Sequence, residues 1–233
     1  MDNRFNFNRW IIGAILALMV VFSGASASEI QNRVGLEHTA LNSQNVQQDT
    51  LKYKISSSTE IGKVSVQAYY REYKDNSVTS DFIEYTKFQL KPKFDSKYYF
   101  FYEGQYNFYN GDKEQKKYKT ILGLYTKIYN IKTKAGYYFY DKIKDGKHSR
   151  KEGYVLILDG TLYKNSKHKV QFENYNYFNK EEKSGTSSLE LQYKYRIIPE
   201  VDLYVYSVNE YHYFKDKDNQ KGSRLDVGIY YYF

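Results

Sequence analysis

The 233-residue sequence contains no cysteine, only two prolines and one tryptophan. Without cysteine, a disulfide framework and a thiolate metal site are excluded. The mean hydropathy of −0.76 excludes a protein with several membrane-spanning helices. Glycines are scattered singly, so no phosphate-binding glycine motif is present. What is abundant is tyrosine, at 29 residues, and an aromatic content of 19% argues against a disordered chain.

The first 27 residues have the pattern of a secretory signal peptide. Arg4 and Arg9 precede an uncharged apolar run from Trp10 to Phe22, and Ala25-Ser26-Ala27 fits a small-residue cleavage site. The run is shorter than the roughly 20 residues that a permanent membrane helix needs. We therefore expect residues 1–27 to be removed and residues 28–233 to form one mature domain of 233 − 27 = 206 residues.

Polar and apolar residues alternate along the mature chain, most clearly over 189–197 and 225–233. A period of two predicts β-strands, and most segments have the roughly 10-residue length of a tilted membrane-spanning strand. In the fourth segment, Ile83 and Tyr85 favour one phase and Phe88 and Leu90 the other, which allows for a β-bulge. The twelve predicted strands cover 33–42, 51–59, 64–73, 82–91, 97–109, 117–128, 132–142, 153–163, 168–178, 187–197, 201–213 and 224–233.

The predicted connections alternate in length. Those after odd strands are longer and charged, at 43–50, 74–81, 110–116, 143–152, 179–186 and 214–223. Those after even strands are short, at 60–63, 92–96, 129–131, 164–167 and 198–200. Long loops at one end and tight turns at the other are typical of outer-membrane barrels, and an even strand number places both termini at the turn end.

These features predict an all-β fold: a transmembrane antiparallel up-and-down β-barrel of about 12 strands in the bacterial outer membrane. The Tyr-rich last strand ends in Phe233. It resembles the C-terminal signal read by the barrel assembly machinery, which is an expected partner. A secreted soluble β-protein is the alternative, because alternation alone does not distinguish which face is buried.

The predicted inward faces are basic. When the more apolar phase of each strand is assigned to lipid, the other phase carries 17 basic and eight acidic residues, a net of 17 − 8 = +9. A lumen lined by one sign of charge concentrates counter-ions and selects anions. Twelve strands leave a narrow pore, so small anionic solutes are the expected ligands. The candidate ligand-binding cations nearest the interior are Lys52, Lys54, Arg71, Lys87, Lys117, Lys119, Lys194 and Arg224.

Aromatic residues share the predicted inward phase. A tyrosine offers an apolar ring and a hydroxyl, which suit the C–H faces and hydroxyl groups of a sugar. The competing interpretation is that these rings fill a narrow barrel and brace cross-strand pairs. The candidate pore-lining aromatics are Tyr69, Tyr99, Phe101, Tyr125, Tyr138, Tyr175, Tyr204, Tyr206 and Tyr230.

The chain resembles the oligogalacturonate-specific porins and their sialic-acid-channel relatives, which are small monomeric twelve-stranded barrels with a basic lumen. The resemblance covers the mature chain in length and strand count, and locally includes residues 33–38, 69–73 and 224–233. It implies a monomeric channel for acidic saccharides. That family has arginine tracks along its pore, whereas here the mature chain has five arginines and Lys dominates. A lysine lacks the bidentate fork of arginine, so a general anion preference is the safer expectation.

A lipid-modifying enzyme and an adhesive or structural barrel are the alternatives to a porin. A lipid-modifying barrel enzyme needs a nucleophile beside a histidine base, and the one arrangement of interest is Glu210 with His212, without a serine in that strand's inward phase. We expect no enzyme activity, no catalytic residues, no metal and no cofactor. An adhesive or structural barrel remains open. Nucleic acid is not an expected partner, whereas outer-membrane lipid and lipopolysaccharide are, through loop-side lysines.

Overall fold

The computed structural model describes residues 29–42, 48–59, 62–75, 78–90, 97–111, 115–144, 146–181, 184–213 and 221–233. The predicted signal peptide, residues 1–27, lies outside these ranges and stays a prediction. The described residues contain twelve strands: β1 (Glu29–Asn42), β2 (Gln48–Thr59), β3 (Gly62–Asp75), β4 (Val78–Leu90), β5 (Tyr98–Gly111), β6 (Gln115–Ile128), β7 (Ile131–Lys144), β8 (Lys147–Lys164), β9 (His168–Asn179), β10 (Ser184–Ile198), β11 (Val201–Tyr213) and β12 (Lys221–Tyr232).

Each strand pairs antiparallel with the next, and β1 closes the sheet against β12. This is the predicted up-and-down barrel, and the strand count of twelve is confirmed. Closure leaves no open sheet edge along the paired wall, which is what a strand structure requires in lipid. No helix of the described residues is long and apolar enough to cross a membrane.

The strands extend further into the predicted charged connections than expected. The prediction of a loop over 143–152 was wrong, because β7 and β8 stay paired up to Lys144 and Lys147. Alternation is weak in this charged stretch, so no apolar phase indicated the pairing. Two cations counted as loop residues, Lys116 and Arg150, thereby belong to β6 and β8.

The two faces of the wall separate as predicted. On β6, Ile121 and Tyr125 are buried inside the barrel, whereas Leu122 and Leu124 are exposed on the outer surface. The ambiguity in β4 is resolved in favour of one inward phase, since Ile83 is buried and Tyr85 contacts Tyr69 across the lumen wall. Pairing is regular from Ser80 to Leu90, and the irregularity of β4 lies between Val78 and Ser80.

Two glycines shape the seam where β1 meets β12. The Tyr230 ring lies over Gly35, and the Tyr204 ring lies over Gly228, so that a methyl group at either glycine would meet the covering ring at 2.5 Å. Tyr204 and Tyr230 stack on each other with centroids 4.2 Å apart. Aromatic rings thus cover the inner surface of the wall at the two glycines, which have no side chain of their own.

We predict that Gly228→Ala destabilises the barrel by about 1–3 kcal/mol, because overpacking against a fixed backbone forces the wall to shift. The added methyl group would lie 2.5 Å from the carbonyl oxygen of Leu36, which cannot rotate away. Gly185→Ala is the matched control, since its methyl group meets the Tyr177 carbonyl oxygen only at 3.3 Å. Urea unfolding in detergent micelles measures both, and equal midpoints for the two variants would contradict this account of the seam.

Candidate functional site

The barrel lumen is the candidate site, and the predicted inward residues line it. Tyr125, Tyr138, Tyr204 and Tyr230 are all buried within the barrel. Arg71 is paired in register with buried Thr50, and Lys117 with buried Asn107, which places both cations on the inner face. The sequence therefore predicted the composition of the inner face, although the roles of these residues in binding stay a prediction.

One side of the lumen is packed with apolar and aromatic side chains. The cluster is formed by Phe101, Ile121, Tyr125, Tyr138, Val155 and Ile157, from strands β5 to β8. Tyr99, Tyr140, Tyr175 and Tyr177 pack against it. Ring contacts such as Tyr99 on Tyr125, at 4.6 Å between centroids, tie neighbouring strands together. The interpretation that lumen tyrosines fill the barrel and brace cross-strand pairs therefore holds for this side.

Beside this cluster lies a buried ion network centred on Lys134 of β7. Its ammonium group is 2.9 Å from Glu103, 3.3 Å from Asp159 and 3.9 Å from Glu173. Lys87 reaches Glu103 at 3.2 Å from the other side. The network joins β4, β5, β7, β8 and β9 across the inner wall, and it neutralises two of the basic side chains.

A second network covers the inner face of the seam. Glu37 accepts hydrogen bonds from Lys52 and from the Tyr204 hydroxyl. Arg224 donates to Asp226 at 2.8 Å, and Thr39 donates to the same carboxylate at 2.8 Å. Asp226 is fully buried, so these partners are what compensates its desolvation. Lys52 and Arg224, two candidate ligand-binding residues, are thus held by carboxylates of the wall.

Seven inward-facing cations have no carboxylate within 4.0 Å among the described residues: Arg33, Lys54, Lys119, Lys127, Lys142, Lys169 and Lys194. Arg33 and Lys54 are register partners on β1 and β2, and Lys169 and Lys194 are register partners on β9 and β10. These four form what we call the lower cation cluster, near the barrel end that carries both termini. Lys119 lies higher, with its ammonium group 3.7 Å from the Tyr177 ring centroid.

The lower cation cluster is braced by aromatic rings. The Arg33 guanidinium lies 3.9 Å from the Tyr230 ring centroid, and the Lys194 ammonium lies 5.2 Å from the same centroid. Contact with a ring face stabilises a cation electrostatically but does not neutralise its charge. These ring contacts therefore hold the two cations in place without a neutralising carboxylate among the described residues.

Sequence reasoning missed several residues that the structure brings into the site. Arg33, Lys134 and Lys169 were among the inward cations but not among the candidate ligand-binding residues, and Tyr85 and Tyr177 were not among the candidate aromatics. The alternation placed all of them inward. The alternation does not show which strands pair or in which register. This pairing decides which cations meet a carboxylate.

The Glu210 and His212 pair does not form a hydrolase-like arrangement. His212 lies 3.4 Å from the Thr186 hydroxyl, on the neighbouring strand. Ser188 is the register partner of Glu210, and its buried hydroxyl has no hydrogen-bond partner among the described residues. A serine nucleophile needs a base within hydrogen-bond reach, and this one is not activated in that way.

Outside the lumen, the outer wall carries an apolar groove of about 990 Å³ lined by Leu36, Tyr70, Val205 and Val227 among others. These four side chains belong to the lipid-facing phase, and Glu37, Thr50 and Tyr204 of the inward phase border the groove as well.

Neither the family models nor the curated proteins give a match to this chain. Among solved structures, the chain is similar in fold to the NanC porin, with a TM-score of 0.50, 13% identity and coverage of 87% of this chain and 99% of that one. It is also similar to the translocator domain of the autotransporter NalP from Neisseria meningitidis, with a TM-score of 0.57, 10% identity and 98% of each chain covered. A KdgM porin gives a TM-score of 0.49 at 13% identity, over 86% of this chain and 99% of that one.

The likeness to the NanC porin confirms, at the level of the fold alone, the resemblance to outer-membrane porins. Because the translocator domain is similar as well, the fold by itself does not distinguish a solute channel from another kind of barrel.

We predict that Lys134→Met destabilises the barrel by about 3 kcal/mol, because it leaves Glu103, Asp159 and Glu173 close together without their shared cation. Lys132→Met is the control. Its partly exposed ammonium is 3.6 Å from Asp159, so its loss should cost under about 1 kcal/mol. Thermal unfolding followed by circular dichroism compares the two, and equal stability would show that Lys134 does not organise the network.

Proposed function

We propose that this protein is an outer-membrane porin that forms a narrow, anion-preferring diffusion channel, with small acids and acidic sugars as the solutes it favours. The observation that carries the proposal is the set of seven lumen cations without a carboxylate partner among the described residues. The inward phase carries 17 basic and eight acidic residues, so the surplus charge of the lumen is positive.

The positions of the unpaired cations, as well as their positive charge, support selectivity for anions. The lower cation cluster places two cation pairs on the wall, on β1–β2 and on β9–β10, with β11 and β12 between them. Like charges in register are unfavourable without a counter-ion, and an anion in the lumen relieves this repulsion. Low-dielectric walls concentrate the field of such a cluster in the aqueous space between them.

The tyrosines of the lumen support a preference for anions that also carry an apolar face. Tyr230 lies between Arg33 and Lys194, with both cations against its ring. A sugar acid offers a carboxylate for the cations and a C–H face or hydroxyl groups for tyrosine. The cations are mostly lysines, which bind a carboxylate as point charges, so the channel prefers anions as a class over one particular saccharide.

The proposal is tested by reversing the charge of the lower cation cluster. In planar bilayers under a salt gradient, Lys54→Glu combined with Lys194→Glu should move the reversal potential toward cation preference, because two positive charges become negative within the field of the lumen. Lys117→Glu with Lys119→Glu, nearer the opposite mouth, should shift it in the same direction. Both variants are first checked for a heat-modifiable folded band.

The matched control is Lys167→Glu with Lys180→Glu, which makes the same charge change on exposed residues at the β8–β9 and β9–β10 turns. Its reversal potential should stay close to that of the unaltered protein, since exposed charges beyond a Debye length are screened. A reversal potential unchanged in both lumen variants would refute the assignment. A folded barrel without any conductance would instead support the structural or adhesive alternative.

A further inference from the structure

The β7–β8 hairpin projects at the barrel end opposite the termini. Its strands stay paired through Ile143 with His148 and Lys144 with Lys147, and Gly146 occupies a left-handed turn position with φ of 73°. On its other side, β8 pairs with β9 only as far as Gly153 and Asn179. The first residues of β8 therefore extend past the top of β9 and form a protruding lip.

This lip concentrates positive charge on one part of the rim. The segment 143–152 carries four Lys or Arg and two acids, a net of 4 − 2 = +2. The connections 43–50, 74–81, 179–186 and 214–223 carry −1, −1, 0 and +1, a sum of −1. Lys116 of β6 lies beside the lip, as the register partner of Ile143. The positive charge of the rim is therefore concentrated on the side formed by β6 to β8 and is not spread around the mouth.

On the outer surface, this charge lies next to an aromatic belt. Tyr137 forms edge contacts with Phe139 at 5.1 Å and with Tyr154 at 5.4 Å, and Tyr154 is 60% exposed to the surroundings of the barrel. The Arg150 guanidinium lies 5.1 Å from the Phe139 ring centroid. The Lys116 ammonium lies 5.8 Å from the ring centroid of Phe108. Aromatic belts mark the boundary between hydrocarbon and headgroups, so both cations lie at headgroup level on the lipid side.

The acids on this outer surface are already engaged. Asp141 is 3.0 Å from His148, and Glu152 forms a hydrogen bond with the Tyr137 hydroxyl. Within the described part of the chain, neither Lys116 nor Arg150 has a carboxylate within 4.0 Å. Two cations that lie at headgroup level with no carboxylate partner among the described residues can bind an anion of the lipid.

We propose that Lys116 and Arg150 bind the phosphate groups of a phosphorylated glycolipid in the outer leaflet, such as lipopolysaccharide. Arginine pairs with phosphate through two parallel hydrogen bonds, and lysine adds a point charge. The acyl chains of the same lipid would pack on the aromatic belt below. The binding site faces the membrane and is distinct from the lumen, so it extends beyond the proposed channel function.

The test uses the folded mature protein in zwitterionic detergent micelles. Binding of deep-rough lipopolysaccharide with two lipid A phosphates is measured by native mass spectrometry, against the same lipid after removal of its phosphates. Lys116→Gln with Arg150→Gln should weaken binding of the phosphorylated lipid by about tenfold. Lys164→Gln with Lys167→Gln, at the opposite end of the barrel, removes the same charge and should bind like the unaltered protein.

Three outcomes would overturn the proposal: equal binding of the lipid with and without phosphates, an unaffected Lys116/Arg150 variant, or complete displacement of the lipid by inorganic phosphate. The last would identify a site for soluble anions. The conductance and reversal potential of the Lys116/Arg150 variant should be unchanged, because neither side chain lines the lumen. A failure of the lipid site is therefore distinguishable from a failure of the proposed channel.

Discussion

The structure depends on one constraint: every backbone hydrogen bond of the wall must be satisfied within the barrel, since lipid offers no partner. A closed antiparallel sheet of twelve strands meets this requirement. Closure then forces successive side chains to opposite faces, one toward lipid and one toward the lumen. Nearly all of the charge of the transmembrane region must therefore lie inside, because lipid-facing cations are unfavourable near the bilayer centre.

The interior resolves this accumulation of charge in two ways. Lys134 with its three carboxylates and the Glu37 and Asp226 networks make part of the lumen an ion-paired inner wall. Among the described residues, the lower cation cluster has no carboxylate within 4.0 Å, and aromatic rings contact two of its cations instead. In the proposed channel, the paired cations brace the strands and the unpaired cations set the electrostatic character of the pore.

Much of the fold could be predicted from sequence because it rests on local alternation. The strand number, the closing role of the last strand and the inward phase of residues such as Tyr204 and Lys54 all follow from a period of two. The β7–β8 lip could not be predicted, since its charged residues show no apolar phase. Nor could the distinction between Lys52, which meets Glu37, and Lys54, which has no such partner, because it depends on register between strands.

The apolar cluster around Ile157 and Tyr138 further shows that an inward phase is not the same as an aqueous one. On this side the wall fills its own lumen, as small barrels do. In the proposed channel, the path of a solute lies along the side that carries the lower cation cluster, on β1, β2, β9 and β10. A solute in this narrow barrel therefore passes close to these cations.

The central claim is that unpaired lumen cations make the barrel an anion-preferring pore. The most direct measurement is the reversal potential of the unaltered mature protein in a planar bilayer under a salt gradient. The account predicts discrete channels with a reversal potential on the anion side, which weakens as ionic strength rises and the charges are screened. A conducting pore with a cation-selective or unselective reversal potential at low salt would contradict it.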